Sequence, residues 1–182
     1  MQHDLLAKVV EALDAAGIKH MVTGSFASTF HGEPRMTQDI DVVIDPDVST
    51  VALFVEQFDP DTFYVDDAVS ATERRGMFNV IDVTTGWKVD LIIRKDRAFS
   101  EEEFSRRVPV RIADVATYVA SAEDTILSKL EWSATSGSER QLRDVVSVIQ
   151  VQRTTLDFDY LQHWATELGI ADLLQTALDS SD

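Results

Sequence analysis

Two aspartates one residue apart, Asp39 and Asp41, border and enter the apolar run Ile40-Asp41-Val42-Val43-Ile44, and a third, Asp90, stands within Val89-Asp90-Leu91-Ile92-Ile93. A strand repeats every two residues, so Asp39 and Asp41 project to one side while Ile40 and Val42 project to the other. Asp90 shares its side with Ile92, and Val89 and Leu91 take the opposite one. Carboxylates on one face of an apolar strand lose hydration and repel each other unless a cation or a hydrogen-bond network compensates them. The oxygen-only donor set suits a hard divalent cation, Mg2+ or Mn2+, which keeps waters and is completed by substrate phosphates. Three convergent carboxylates could hold two ions about 3.5 to 4 Å apart, the arrangement that clamps the attacking and leaving oxygens of a phosphoryl or nucleotidyl displacement. Pairing with Arg35 or Lys88 would instead make the same carboxylates structural.

Upstream, Lys19 to Thr23 reads as a short strand and Ser25 to His31 as the first turns of a helix ended by Gly32 and Pro34. Gly24-Ser25 at that strand-to-helix turn lets the backbone approach closely and aims amide N–H groups at an anion, with the helix N-terminus adding partial positive charge. Such a turn can seat a triphosphate, and a role for Ser25 as helix N-cap is compatible with it. Arg35 either contacts phosphate or fixes the aspartate strand; Thr37 and Lys88 are the further candidates to contact a nucleotide. His20, His31 and His163 have no metal-ligand spacing, and Trp132 and Trp164 read as core anchors.

These residues need a scaffold, and the remaining pattern supplies one. Leu5 to Ala16 carries a helical apolar stripe stopped by Gly17. After the aspartate strand, Val48 to Phe58 and Asp67 to Arg75 read as helices around a short strand, Phe63 to Val65. Met77 to Thr84 and Trp87 to Arg94 read as a hairpin turning at Thr85-Gly86, with Asp90 in mid-strand. Val108 to Ile112 is a last, edge strand, because Pro109 cannot donate a ladder hydrogen bond. The rest is expected to be helical. Ser121 is the N-cap of a helix whose buried stripe is Ala122, Ile126, Leu127, Leu130 and Ala134, with Lys129 at the border of that stripe. Glu139 to Val151, Asp157 to Leu168 and Ile170 to Leu178 follow as helices, and Asp144 is spaced to pair with Arg140 on an exposed face.

The order Gly-Ser, Asp-x-Asp and a later strand Asp resembles the nucleotidyltransferase superfamily that includes DNA polymerase beta and the aminoglycoside nucleotidyltransferases. Over nearly the whole chain the resemblance narrows. Glu123 to Trp132 with Lys129, Ser138 to Val145 with Arg140, Arg143 and Asp144, Leu156 to Trp164, and Leu168-Gly169 are similar to stand-alone bacterial AbiEii-type nucleotidyltransferases. The resemblance implies an α/β (α+β) nucleotidyltransferase fold, a mixed β-sheet flanked by helices. It places a nucleotidyltransferase core at 1–120 and a C-terminal helical segment packed on it at 121–182. It also implies that Lys129 and Asp144 join Asp39, Asp41 and Asp90 as catalytic residues, with Gly24, Ser25, Arg35, Thr37 and Lys88 binding the NTP. One departure stands out: the family usually has Gly-Gly-Ser where this chain has Thr23-Gly24-Ser25.

Composition sets the outer limits. A chain of 182 residues with 45% hydrophobic residues suffices for one core with a helical appendage. It has no cysteine, so disulfides and thiolate metal sites are excluded. No apolar run is long enough to span a membrane, and Met1-Gln2-His3-Asp4 lacks a signal pattern, so a soluble cytoplasmic protein is expected. Sixteen Lys and Arg against thirty-two Asp and Glu give a formal charge of -16, the opposite of the basic surface that gives general DNA or RNA affinity. The expected partners are therefore an NTP with Mg2+ or Mn2+ and a hydroxyl acceptor. A small molecule or protein side chain suits the charge, while the resemblance points to tRNA or similar RNA, and to a cognate antitoxin in a toxin-antitoxin or phage-defence setting. The apolar C-terminal helices pack on the core or on a second subunit, as monomer or homodimer. The alternative to an enzyme is a nucleotide- or protein-binding regulatory module on the same fold.

Overall fold

The computed structural model describes residues 2–34, 39–112 and 114–181. In chain order the elements are α1 (Gln2–Ala15), β1 (Lys19–Thr23), α2 (Gly24–His31), β2 (Ile40–Asp45), α3 (Val48–Val55), β3 (Phe63–Val65), α4 (Ala68–Glu73) and β4 (Met77–Asp82). There follow β5 (Lys88–Ile93), α5 (Ala98–Ser105), β6 (Val108–Ile112), β7 (Val115–Val119), α6 (Ala122–Ser136), α7 (Glu139–Gln152), α8 (Phe158–Glu167) and α9 (Ala171–Asp179). The chain divides into two compact units: Met1–Thr23 with Thr37–Val119, and Gly24–Met36 with Ala120–Asp182. The first holds the whole sheet and the second α2 with the C-terminal helices, so α2 groups with helices distant in sequence.

In the sheet unit the strands run β3-β4-β5-β2-β1-β7-β6. β2 pairs in parallel with β5, and β1 with β7; the other neighbours are antiparallel. Across β4, β5 and β2 one face is apolar: Ile40, Val42 and Ile44 of β2, Val89, Leu91 and Ile93 of β5, and Phe78 and Val80 of β4 are buried. Onto the sheet packs α1, reaching β5, β1 and β7, and its Leu5, Leu6, Val9 and Leu13 are buried at helical spacing. The β4–β5 hairpin forms as the alternation predicts, but its register centres between Thr84 and Thr85, one residue before the expected Thr85-Gly86 turn. Its turn is tied by Asp82, whose carboxylate accepts from the hydroxyls of Thr84 at 2.6 Å and Thr85 at 2.8 Å. Those bonds hold the Asp82 carboxyl down at about 2. β6 is the sheet edge, as Pro109 requires.

The helical unit is organised around α6, against which α2, α7, α8 and α9 all pack. Ser121 caps it as expected, its Oγ accepting from the Asp124 amide at 3.1 Å. Of the expected buried stripe Ile126, Leu127 and Leu130 are buried, Ala122 is half-buried and Ala134 is exposed, while Glu123, Asp124, Thr125 and Lys129 are buried as well. Their polar atoms are satisfied inside: Asp124 accepts from Ser121 Oγ and from the Tyr160 hydroxyl, each at 2.6 Å, and Glu123 accepts from the Asp157 amide at 3.0 Å. Buried charge of this kind is tolerated only with such partners.

Two elements differ from the sequence expectation. β7 lies where only helix was expected after Val108–Ile112, and α5 lies in a segment to which the sequence reading gives no element. Trp132 is no core anchor; it is 61% exposed. No helix among the described residues is long and apolar enough to cross a membrane.

Candidate active site

The sheet face opposite the apolar core carries a polar row. Parallel pairing of β2 with β5 sets Asp41 beside Asp90, β5 with β4 sets Asn79 on the other side of Asp90, and β1 with β2 sets Thr23 beside Asp41. Paired residues share a face, so Asn79, Asp90, Asp41 and Thr23 line up across four strands. Lys88, one pleat before Asp90, turns its ammonium back onto this row. Its Nζ donates to Asp90 Oδ2 at 2.8 Å and Oδ1 at 3.1 Å and lies 3.5 Å from Asp39 Oδ1. The hydrogen bond to Asp90 raises the Lys88 pKa above its ordinary value against the opposing effect of burial, and the negative charges of Asp90 and Asp39 add to the rise. Asp90 is buried, Asp41 half-buried and Asp39 exposed.

The donor set fits a hard divalent cation in kind. It is all oxygen, it shares one face, and it includes Asn79 Oδ1, a buried acceptor without a hydrogen-bond partner beside Asp90. Among the described residues no three His, Asp or Glu side chains already converge to hold a metal ion. The Lys88 ammonium, bound to both Asp90 and Asp39, stands where positive charge is needed.

A second polar centre belongs to the helical unit. Lys129 Nζ of α6 donates to Asp144 Oδ2 and to Gln141 Oε1 of α7, both at 2.8 Å. Ser28 Oγ of α2 lies 3.4 Å from Asp144 Oδ2 and donates to the Ser25 carbonyl at 3.0 Å. Both charged side chains are almost fully buried, Lys129 at 5% and Asp144 at 8% exposure. The expectation of a border lysine and an exposed Arg140–Asp144 pair is corrected: the carboxylate turns inward onto Lys129. Asp144 also lines a cleft of about 340 Å3 with Ser28, Glu33, Arg140, Arg143 and Ser147. α2 itself opens on Gly24 with φ 62°, a left-handed conformation that costs other residues about 1 to 2 kcal/mol, so the turn requires glycine there. Ser25 follows within the first turn, where amides lack intrahelical partners.

The sequence candidates thus fall into two sets. Asp39, Asp41, Asp90 and Lys88 stand on the sheet face, and Lys129 and Asp144 meet in the helical unit that also contains Gly24 and Ser25. Arg35 and Thr37 lie outside the described residues. Three contributors were missed. Asn79 pairs with Asp90 because the hairpin register centres between Thr84 and Thr85; counting from the expected Thr85-Gly86 turn would put Ile81 there instead. Ser28 stands three residues after Ser25, and Gln141 three before Asp144, each spacing that puts two side chains on one helical face.

No protein-family model matches the chain, and no curated protein matches it. Solved structures do. An antigenic nucleotidyltransferase-like protein from Paracoccidioides brasiliensis is 20% identical with a TM-score of 0.64, over 99% of this chain and 90% of that one. The antibiotic-resistance factor ANT(2'')-Ia is similar in its solution structure, at 14% identity and a TM-score of 0.61 over 97% of this chain and 94% of that one. It is similar again in its crystal structure with adenylyl-2''-tobramycin, at 13% identity and a TM-score of 0.58 over 91% and 95%. Likeness at such identities speaks to architecture, and the architecture is that of the nucleotidyltransferase fold.

Proposed function

We propose that this protein is a metal-dependent nucleotidyltransferase of the AbiEii-like kind that moves an NMP from an NTP to a hydroxyl acceptor. The observation that carries the reading is the in-register pairing of Asp41 with Asp90, on the face that Asp39 shares, within a nucleotidyltransferase fold. Gly24 and Ser25 hold the β- and γ-phosphates through backbone amides at the start of α2, and Arg35, Thr37 and Lys88 contact the nucleotide. Asp39, Asp41 and Asp90 would hold Mg2+ or Mn2+, which neutralises charge developing on the phosphates. The acceptor oxygen attacks the α-phosphorus as the bond to the bridging oxygen breaks and pyrophosphate leaves. The hydroxyl proton goes to a carboxylate, with Asp90 the candidate base where it is not a ligand. Lys129 stabilises phosphate charge, and Asp144 orients Lys129.

For the acceptor, the net charge of -16 favours a small hydroxyl compound or a protein side chain over a polynucleotide. The adenylyl-tobramycin complex of ANT(2'')-Ia supports a small acceptor by analogy of fold. A toxin acting on tRNA under a cognate antitoxin is the competing assignment that the AbiEii resemblance brings. A second reading, a nucleotide- or protein-binding module without turnover, is favoured by Thr23, which replaces the usual glycine and stands beside Asp41.

Calorimetric titration of each of the four NTPs with Mg2+ or Mn2+, on wild type and on the Asp39→Asn/Asp41→Asn variant, tests this. Metal-dependent binding that the variant loses is the expected result, followed by pyrophosphate release when acceptor pools are added. Binding without release in any pool favours the module; no NTP binding to folded wild type at millimolar concentration ends the enzyme reading.

A further inference from the structure

The acidic sheet face carries a cation of its own. Lys88 and Asp90 are two residues apart on one strand and so project to the same side, which holds the ammonium over the carboxylate. The same ammonium reaches Asp39, so one lysine contacts two of the three carboxylates assigned to the divalent cation and offsets one of their charges. A lysine ammonium and a metal ion repel at such distances, so each weakens the other's hold on those oxygens. The two partners differ in freedom. Asp90 is fixed in mid-strand with its side chain 10% exposed, whereas Lys88 is 40% exposed on a flexible four-carbon stem and can withdraw toward solvent. Asn79 Oδ1, buried and without a partner beside Asp90, is an oxygen that Lys88 leaves unsatisfied.

We propose that Lys88 is a built-in counter-ion that competes with the divalent cation for Asp90 and Asp39, so that the face takes up metal only when a nucleoside triphosphate arrives with it and draws the ammonium onto its phosphates. This rests on the nucleotidyl-transfer reading above. Its consequence is ordered loading: in the nucleotide-free protein the ammonium already holds oxygens the ion would take, so affinity for stray divalent ions is low, and the triphosphate is what exchanges one cation for the other.

The test is Mn2+ uptake by the full chain, read from the loss of the free Mn2+ paramagnetic resonance signal. It is run without nucleotide and then with each of the four α,β-methylene NTPs. Lys88→Met and Lys88→Gln are expected to tighten nucleotide-free Mn2+ binding at least about tenfold, since a competing charge beside the carboxylates is gone. Lys88→Arg keeps the charge and Lys95→Met removes one from an exposed position nearby; neither is expected to change the affinity. Adding Asp90→Asn to Lys88→Met is expected to abolish the gain. If the folded neutral variants bind Mn2+ as weakly as wild type while wild type still takes it up with an NTP analogue, the counter-ion role is overturned and nucleotidyl transfer stands. If no variant takes up Mn2+ with or without analogue, both fall together.

Discussion

Two lysine–aspartate pairs of the same length, 2.8 Å, sit in the two units of this chain and differ in almost everything else. Lys88 and Asp90 lie on one strand, and the lysine is 40% exposed. Lys129 and Asp144 come from different helices, and neither exceeds 8% exposure. Water competes for the first pair and is excluded from the second. An ion pair on a sheet face can therefore exchange partners during a reaction, whereas one enclosed by helices holds its geometry and fixes what lies around it. Ser28, Gln141 and the lysine are positioned by Asp144 or by its partner, which suits the buried pair to placing a charge rather than to releasing one.

The comparison breaks most sharply when one member of each pair is removed. Lys129→Met leaves Asp144 charged in the interior, and stripping one partner from a buried pair typically costs about 3 to 5 kcal/mol. Lys88→Met leaves Asp90 beside solvent that the departed lysine admits, and the expected cost is about 1 kcal/mol or less. Urea unfolding of both variants at pH 7.5 measures the difference. Equal losses would mean that burial does not separate the pairs. Replacing both members, as Lys129→Met/Asp144→Leu, is expected to regain more than half of the single-variant loss, because no orphaned charge remains.

A smaller effect tests whether the helical centre depends on close spacing. A Cβ on Gly32, just after α2, would meet Ser147 Oγ at 2.8 Å, the Ser28 carbonyl at 2.9 Å and the Val148 amide at 3.1 Å. Two of these are backbone atoms that cannot rotate away, and the serine is held by the Glu33 amide, which donates to it at 2.8 Å. Gly32→Ala is expected to destabilise by about 1 to 3 kcal/mol, the usual cost of overpacking. It also moves Ser28 relative to Asp144, so NTP affinity should fall with stability. An unchanged unfolding midpoint would show that α2 and α7 can separate without loss.

The same contrast governs what the chain's sequence discloses. Asp39, Asp41 and Asp90 are legible because a strand alternates with a period of two, which sets the face of each side chain; the register of the hairpin, two pairings off the count from Thr85-Gly86, is not. Lys129 and Asp144 are not legible from spacing, because the amphipathic reading equates polar with exposed. On α6 that equation fails: the partners that admit Glu123, Asp124 and Lys129 to the interior come from Asp157, Tyr160, Gln141 and Asp144, which are brought together only by folding. Their assignment as site residues came from family resemblance alone. α5 escaped notice for the opposite reason. Glu101, Glu102 and Glu103 interrupt its apolar side, and Phe99 and Phe104 are its only large buried apolar residues. β7 escaped because its alternation is short and its strand pairings, with β1 and with β6 through a turn where Asp114 takes φ 70°, form only on folding.

The smallest effect contrasts the units through one buried histidine in each. His20 of β1 sits against Thr117 Oγ1 at 3.2 Å, and His31 of α2 donates from Nε2 to the Ala120 carbonyl at 2.7 Å. Burial lowers both pKa values from 6.5; Asp14 and the Ile18 carbonyl oppose the shift at His20, and the Ala120 carbonyl and Glu123 oppose it at His31. The sign follows from proton counts. Below about pH 6.5 the unfolded chain's histidines take up protons that the folded ones refuse, so the unfolded state gains and stability falls with falling pH. The contribution is complete above pH 6.5 and is lost as pH drops toward the lowered folded values. Unfolding free energies between pH 8 and pH 5 should therefore decline toward acid, and His20→Gln and His31→Gln should each flatten the decline. A decline untouched by either variant would assign the acid sensitivity to carboxylates. A flattening by His31→Gln alone would place it in the helical unit, beside the buried ion pair, and leave the sheet unit insensitive over the range in which Lys88 stays charged.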